Sequence, residues 1–122
     1  MYITSKDTII FEPKYNKLLD INLISQYKKI IFSNYQLSKG ICKAYENNIF
    51  NNFNFSFSYN RFNQEVNLLL QQLTHLTFGW NFNQEVNMLP QLLTHLTFGT
   101  YFNQEVNLFT QTVNTFNFWI LF

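Results

Sequence analysis

Two histidines, His75 and His95, stand twenty residues apart, each inside an identical Leu-Thr-His-Leu-Thr-Phe-Gly. Imidazoles brought together by a regular spacing are the usual start of a metal site. Three carboxylates, Glu65, Glu85 and Glu105, recur at the same interval, and paired carboxylates can carry general acid–base chemistry. Neither set is completed by a partner. Thr115 stands where a third histidine would fall, and no Asp, Glu or Cys joins the outward strand positions, so a metal with its three or four ligands is not expected. The glutamates recur because everything around them recurs, and they read as a solvated edge. Asn63, Asn83 and Asn103 are expected to form an amide ladder that satisfies backbone groups in turns. Cys42 is the single cysteine. It excludes an internal disulfide and, with no Cys-His motif beside it, reads as an inert thiol. No phosphate loop, nucleophile elbow or zinc-binding cysteine pair is present. The expectation is a non-enzymatic protein with no catalytic, cofactor-binding or metal-binding residue.

The elements that position these residues follow from the period. Phe-Asn-Gln-Glu-Val-Asn occurs at 62–67, 82–87 and 102–107. Units 62–81 and 82–101 agree at fifteen of twenty positions, while unit 102–121 agrees with its predecessor at eight. Six positions stay apolar in all three, beginning with Phe62, Val66, Leu69, Leu73, Leu76 and Phe78 and ending with Phe102, Val106, Phe109, Val113, Phe116 and Phe118. That is the demand of a continuous core when repeats stack about 4.8 Å apart, like strands in a sheet. Leu73-x-x-Leu76-x-Phe78 has the leucine-rich form L-x-x-L-x-L, one short strand per repeat. Strand alternation turns Leu76 and Phe78 inward and leaves His75 and Thr77 outward. The predicted fold is a β-solenoid, a leucine-rich-repeat-like parallel sheet of three to four short coils. Its candidate partner-binding strand face is His75, Thr77, His95, Thr97, Thr115 and Asn117. Trp80 and Tyr101 add aromatic anchors on the loop after the strand. Gly79 and Gly99 are expected to turn the chain through a positive φ. The return path is too short for a full helix, and Pro90 suits an irregular one.

Upstream the pattern fades. Phe55 and Phe57 fall at the positions of Leu76 and Phe78 if one residue is inserted, giving a degenerate first coil over 51–61. Residues 1–50 show no repeat and read as a capping region. There Leu23, Ile24, Tyr27, Ile30 and Ile31 follow a helical stripe, with Asp20 or Asn22 as N-cap, predicting a short α-helical N-terminal cap near 20–32. Such a cap would cover the first coil's open edge.

Charge divides the chain at the same boundary. All eight basic residues and four acids lie in 1–61, a net +4, while 62–122 holds only the three glutamates. The basic residues are scattered and include one arginine, so nucleic acid is not an expected partner. No apolar run reaches the roughly 20 residues of a membrane span, and the first residues lack a signal-peptide pattern. A cytoplasmic location is expected, the host cytoplasm if the source is a virus.

Phe62-Asn63-Gln64 and Leu73-Thr74-His75-Leu76-Thr77-Phe78-Gly79, repeated twenty residues on, resemble the FNIP repeat family, known from slime moulds and giant viruses of amoebae. Its units resemble leucine-rich repeats of about twenty-two residues. The resemblance covers about half the chain, with Glu65, Glu85 and Glu105 where a proline is common. Many relatives carry an F-box that docks a ubiquitin-ligase scaffold and use the repeats to hold substrate. Leu18 to Ser25 resembles the segment joining the two parts, although no clear F-box precedes it. The resemblance implies a protein-interaction module, a substrate-recruiting arm with ubiquitin-ligase components as partners. Two alternatives stay open: a self-assembling Asn/Gln-rich repeat protein, since 62–122 holds sixteen Asn and Gln, or a decayed family member without present function.

Overall fold

The computed structural model describes residues 1–50, 55–66, 71–86 and 89–106, together with the backbone of 115–118. Its organising element is an open six-stranded mixed sheet whose spatial order is the chain order. The strands are β1 (Tyr2–Ser5), β2 (Thr8–Phe11), β3 (Lys29–Phe32), β4 (His75–Thr77), β5 (His95–Phe98) and β6 (Thr115–Phe118). β1 and β2 form an antiparallel hairpin, turned through Lys6 at φ 54°. All later pairings are parallel. In register, Ile9, Ile30, Leu76, Leu96 and Phe116 lie side by side across β2 to β6.

That register corrects the reading of the N-terminal half. Residues 1–50 do contain the repeat, as β2 and β3, in a form too diverged to match by letters. The predicted helix over 20–32 shrinks to α1 (Ile21–Ile24), capped by the Asp20 carboxylate on the Asn22 N–H, and Lys29–Phe32 is strand. The five apolar residues at 23, 24, 27, 30 and 31 satisfy a helical period. Ile30 and Ile31 are β-branched, however, and alternate between buried and half-buried as a strand does. The first parallel strand is flanked by the β1 hairpin strand, and among the described residues no helix is seen to cap it. The described part of the segment predicted as a first coil, 55–61, likewise adds no strand to the sheet. β4 pairs with β3, and Phe57 instead bridges Tyr35 in antiparallel fashion outside the sheet.

One whole excursion explains the hidden period. From Ile30 to Leu76 is 46 residues, whereas Leu76 to Leu96 is 20, so 26 extra residues are inserted after β3. They carry α2 (Ile41–Asn47), which starts after Gly40 at φ 87° and stops at Asn48 at φ 52°. Tyr35, Tyr45, Phe50, Phe55 and Phe57 form its small aromatic core.

The core lies on one face of the sheet, where two columns of rings run across the strands. Phe11, Phe32, Phe78 and Phe98 stack at 5.3, 5.7 and 5.6 Å. Tyr15, Phe62, Phe82 and Phe102 follow at 6.0, 6.0 and 6.1 Å. Ile9, Leu76 and Leu96 are buried beside them. Of the six apolar positions, those of units 62–81 and 82–101 are buried wherever described, and Phe102 and Val106 are partly buried against the same cluster. Leu69, Phe109 and Val113 lie outside the described residues.

Gly79 and Gly99 also depart from expectation. Neither has positive φ; among the glycines only Gly40 does. A Cβ on Gly99 would collide with the Gly79 carbonyl, and one on Gly79 with the Asn60 side chain. These positions are glycine because the neighbouring turn leaves no room for a Cβ, its backbone pressing on Gly99 and the buried Asn60 side chain on Gly79.

Candidate functional site

The strand-face residues come together as predicted in register. Opposite the core, one column runs Thr8, Lys29, His75, His95, Thr115 and a second runs Ile10, Ile31, Thr77, Thr97, Asn117. His95 is exposed and His75, Thr77 and Thr97 are half-buried. For Thr115 and Asn117 the backbone register is defined, and their side chains fall outside the described residues.

The two imidazoles lie face to face, centroids 4.1 Å apart and 8° from parallel. Each is held by the threonine before it: Thr74 Oγ1 lies 2.8 Å from His75 Nδ1, and Thr94 Oγ1 2.9 Å from His95 Nδ1. Each hydroxyl also donates to the previous unit, Thr74 to the Lys28 carbonyl and Thr94 to the Thr74 carbonyl, both at 3.2 Å. A hydroxyl has one proton to give. All four bonds are therefore made together only when Nδ1 carries the imidazole proton, which leaves both Nε2 lone pairs as acceptors. Burial, then neighbouring His95 and Lys29, lower the His75 pKa from 6.5 to about 4, with Asp7 opposing. The pair is thus uncharged at neutral pH on His75's side, and the face offers acceptors and hydroxyls with one ammonium, Lys29, at its edge. Among the described residues no three of His, Cys, Asp and Glu gather as metal ligands, and no helix is long and apolar enough to cross a membrane.

The inserted 26 residues shape this face from the side. Ile10 points away from the main core yet is fully buried, as are Ile41 and nearly Ala44 on α2. The Cys42 thiol on α2 has its pKa pushed up by burial and by Glu46, with an opposing influence from Ser5, which is on the same face as Ile10. The excursion therefore lies over β1 and β2. Its anchor is a buried hydroxyl pair, Tyr45 Oη donating to Ser33 Oγ at 2.7 Å and accepting from the Asn34 N–H at 3.2 Å. Ser33 Oγ donates in turn to the Tyr35 carbonyl at 2.7 Å. Two buried amides close its ends: Asn34 Oδ1 accepts from the N–H groups of Asn60 and Trp80, and Asn60 Nδ2 donates to the Ser33 carbonyl. Sequence reasoning missed Asn34 and Asn60, because nothing local separates them from the sixteen other asparagines.

Where the excursion rejoins the stack, Phe57 and Tyr59 meet Trp80, and Trp80 meets Tyr101. Trp80 and Tyr101 were legible from the repeat; Tyr59, 21 residues before Trp80, carried a spacing signal that the extra residues disguised. The amide ladder is present and longer than expected. Asn63, Asn83 and Asn103 N–H groups donate to Asn16, Asn63 and Asn83 Oδ1 at 2.9, 2.8 and 2.8 Å, so Asn16 heads the column.

No curated protein and no solved structure matches this chain. The stacking apparatus itself (the ring columns, the asparagine ladder and the glycines that let turns touch) falls largely within residues 56–101. That segment matches the family model described as the FNIP Repeat, which makes this an FNIP repeat-containing protein.

Proposed function

We propose that the protein is a non-enzymatic interaction module that holds a protein partner on the open part of the outward strand face. The observation that carries this reading is the change along one column: Ile10 is sealed under the excursion, whereas Thr77 and Thr97 remain polar and accessible. A repeat face lined by histidines and threonines suits many moderate hydrogen bonds to a partner, and among the described residues it holds no nucleophile or converging acid–base pair. We further propose, on the family resemblance, that the partner is a substrate delivered to ubiquitin-ligase components, within the cytoplasm. Replacing Thr77 and Thr97 together by glutamate and repeating affinity purification from the native cell tests the surface. Loss of the co-purifying proteins, with a folded variant by circular dichroism, is the expected outcome. Retention of every partner overturns the assignment to this face. Self-assembly through Asn- and Gln-rich edges is the competing reading, and a monomer at all concentrations in size-exclusion chromatography counts against it.

A further inference from the structure

Beside the strand face lies an aromatic strip that the stacking of repeats does not require. Tyr59, Trp80 and Tyr101 are spaced 21 residues apart, one on each successive turn. Backbone bonds hold those turns together: Asn81 N–H donates to the Asn60 carbonyl and Tyr101 N–H to the Trp80 carbonyl, each at 3.1 Å. The close approach at Gly79 and Gly99 sits directly before them. Ring centroids step by 4.8 Å from Tyr59 to Trp80 and by 6.3 Å from Trp80 to Tyr101, crossed at 67° and 82°. Phe57 closes one flank, 5.2 Å from Tyr59 and 5.6 Å from Trp80. The strip is open to solvent, with Tyr59 58% and Tyr101 59% exposed. Among the described residues the Tyr59 hydroxyl, the Trp80 indole N–H and the Tyr101 hydroxyl have no protein partner.

We infer that this strip docks a proline-rich segment of a partner in the polyproline II conformation. The argument is complementarity of chemistry and of step. The strip combines apolar ring faces with three unused hydrogen-bond donors. A polyproline II chain presents apolar rings and unbonded carbonyls, and its prolines have no N–H to leave unsatisfied. Two of its residues advance about 6 Å, close to the ring steps. Because the rings cross rather than lie coplanar, they form clefts between ridges, the relief that aromatic-lined grooves use for such segments. A flat sugar ring would want a coplanar platform, which the crossed rings do not supply. The inference rests on the interaction-module reading and specifies one class of partner for it.

The test uses the full chain and a decaproline peptide, followed at the Trp80 indole N–H by nitrogen–proton correlation spectroscopy. Saturable movement of that resonance is expected, with no movement on adding a glycine-serine peptide of equal length. Trp80→Ala removes that reporter, so its affinity is read by titration calorimetry, where decaproline binding should weaken at least tenfold. Tyr59→Phe and Tyr101→Phe, which keep the rings and remove only the hydroxyls, should each weaken it about threefold without changing the rest of the spectrum. Decaproline leaving the indole unmoved overturns the proposal. So does movement with maltohexaose alone, which marks a sugar site, or with protein concentration alone, which marks contact between copies. If the native partners survive Trp80→Ala but are lost with the glutamate pair at Thr77 and Thr97, the proline-rich segment is wrong and the interaction module stands.

Discussion

Ile10 and Thr97 occupy the same column of the sheet, three strands apart, on the face turned away from the main core. Ile10 is fully buried and Thr97 half-exposed. Both sit on the same face of interior strands, β2 with one antiparallel and one parallel neighbour and β5 with two parallel ones, and the direction of pairing does not decide whether an outward position is apolar. What differs is the layer above. Over the N-terminal strands the excursion with α2 supplies a second apolar layer, and the column is isoleucine. Beyond it nothing in the described residues covers the sheet, and the column turns to threonine. A repeat surface is thus divided into structural and accessible parts by whichever segment folds back over it, and the division is written in one column of side chains.

The sharpest way to break that contrast is to truncate both members. Ile10→Ala should cost about 2–4 kcal/mol, the usual loss for a buried large-to-small change, measured as a shift in urea midpoint. Thr97→Ala should stay within about 0.5 kcal/mol, as exposed substitutions do. Equal losses would mean that the two ends are covered alike. Tyr45→Phe removes the hydroxyl that ties the excursion to Ser33 and Asn34, and should cost about 1–2 kcal/mol. Amide exchange should accelerate at Ile10 and over α2, while the protection at Leu96 remains. The smallest effect belongs to pH. His75 releases its proton at about 4 in the fold against 6.5 ordinarily, so between those values the unfolded chain binds the proton and the folded one does not. Stability should therefore fall as pH drops from about 6.5 to 4, and His75→Gln should flatten part of that slope. Solvent screening keeps the loss modest, and thermal melts at pH 7 and 5 would read it.

Much of this architecture was legible in the repeated half. Leu76 and Leu96 announce inward strand positions, and His75 and His95 fall opposite one another as the alternation of a strand requires. The asparagine ladder was readable because an amide at a fixed interval in a turn has few other uses. The N-terminal half hid the same geometry. Ile9 and Ile30 do the work of Leu76, and Tyr15 and Asn16 that of Phe62 and Asn63. The core asks only for volume and apolarity at those places, so the letters are free to drift. The helix over 20–32 failed because three or four apolar residues in a short stretch fit either period. Gly79 and Gly99 misled for another reason. A glycine can serve an unusual φ or a close approach, and only coordinates distinguish the two. The covering of Ile10 depends on a segment some thirty residues away, which no local pattern reports.

The buried brace at Asn34 has a consequence for how the chain reaches this structure. By accepting from both Asn60 and Trp80, it returns the excursion to the point at which it left. Strand β4 then meets β3 as though the intervening segment were absent. Closing a 46-residue loop instead of a 20-residue one costs only about 0.7 kcal/mol more in chain entropy, by the logarithmic dependence on length. A stack of short loops can therefore join the strands on either side of the excursion at little penalty. The same corner is a place where the chain tolerates extra sequence, since its growth is charged to entropy at a slowly rising rate and not to the packing of the sheet.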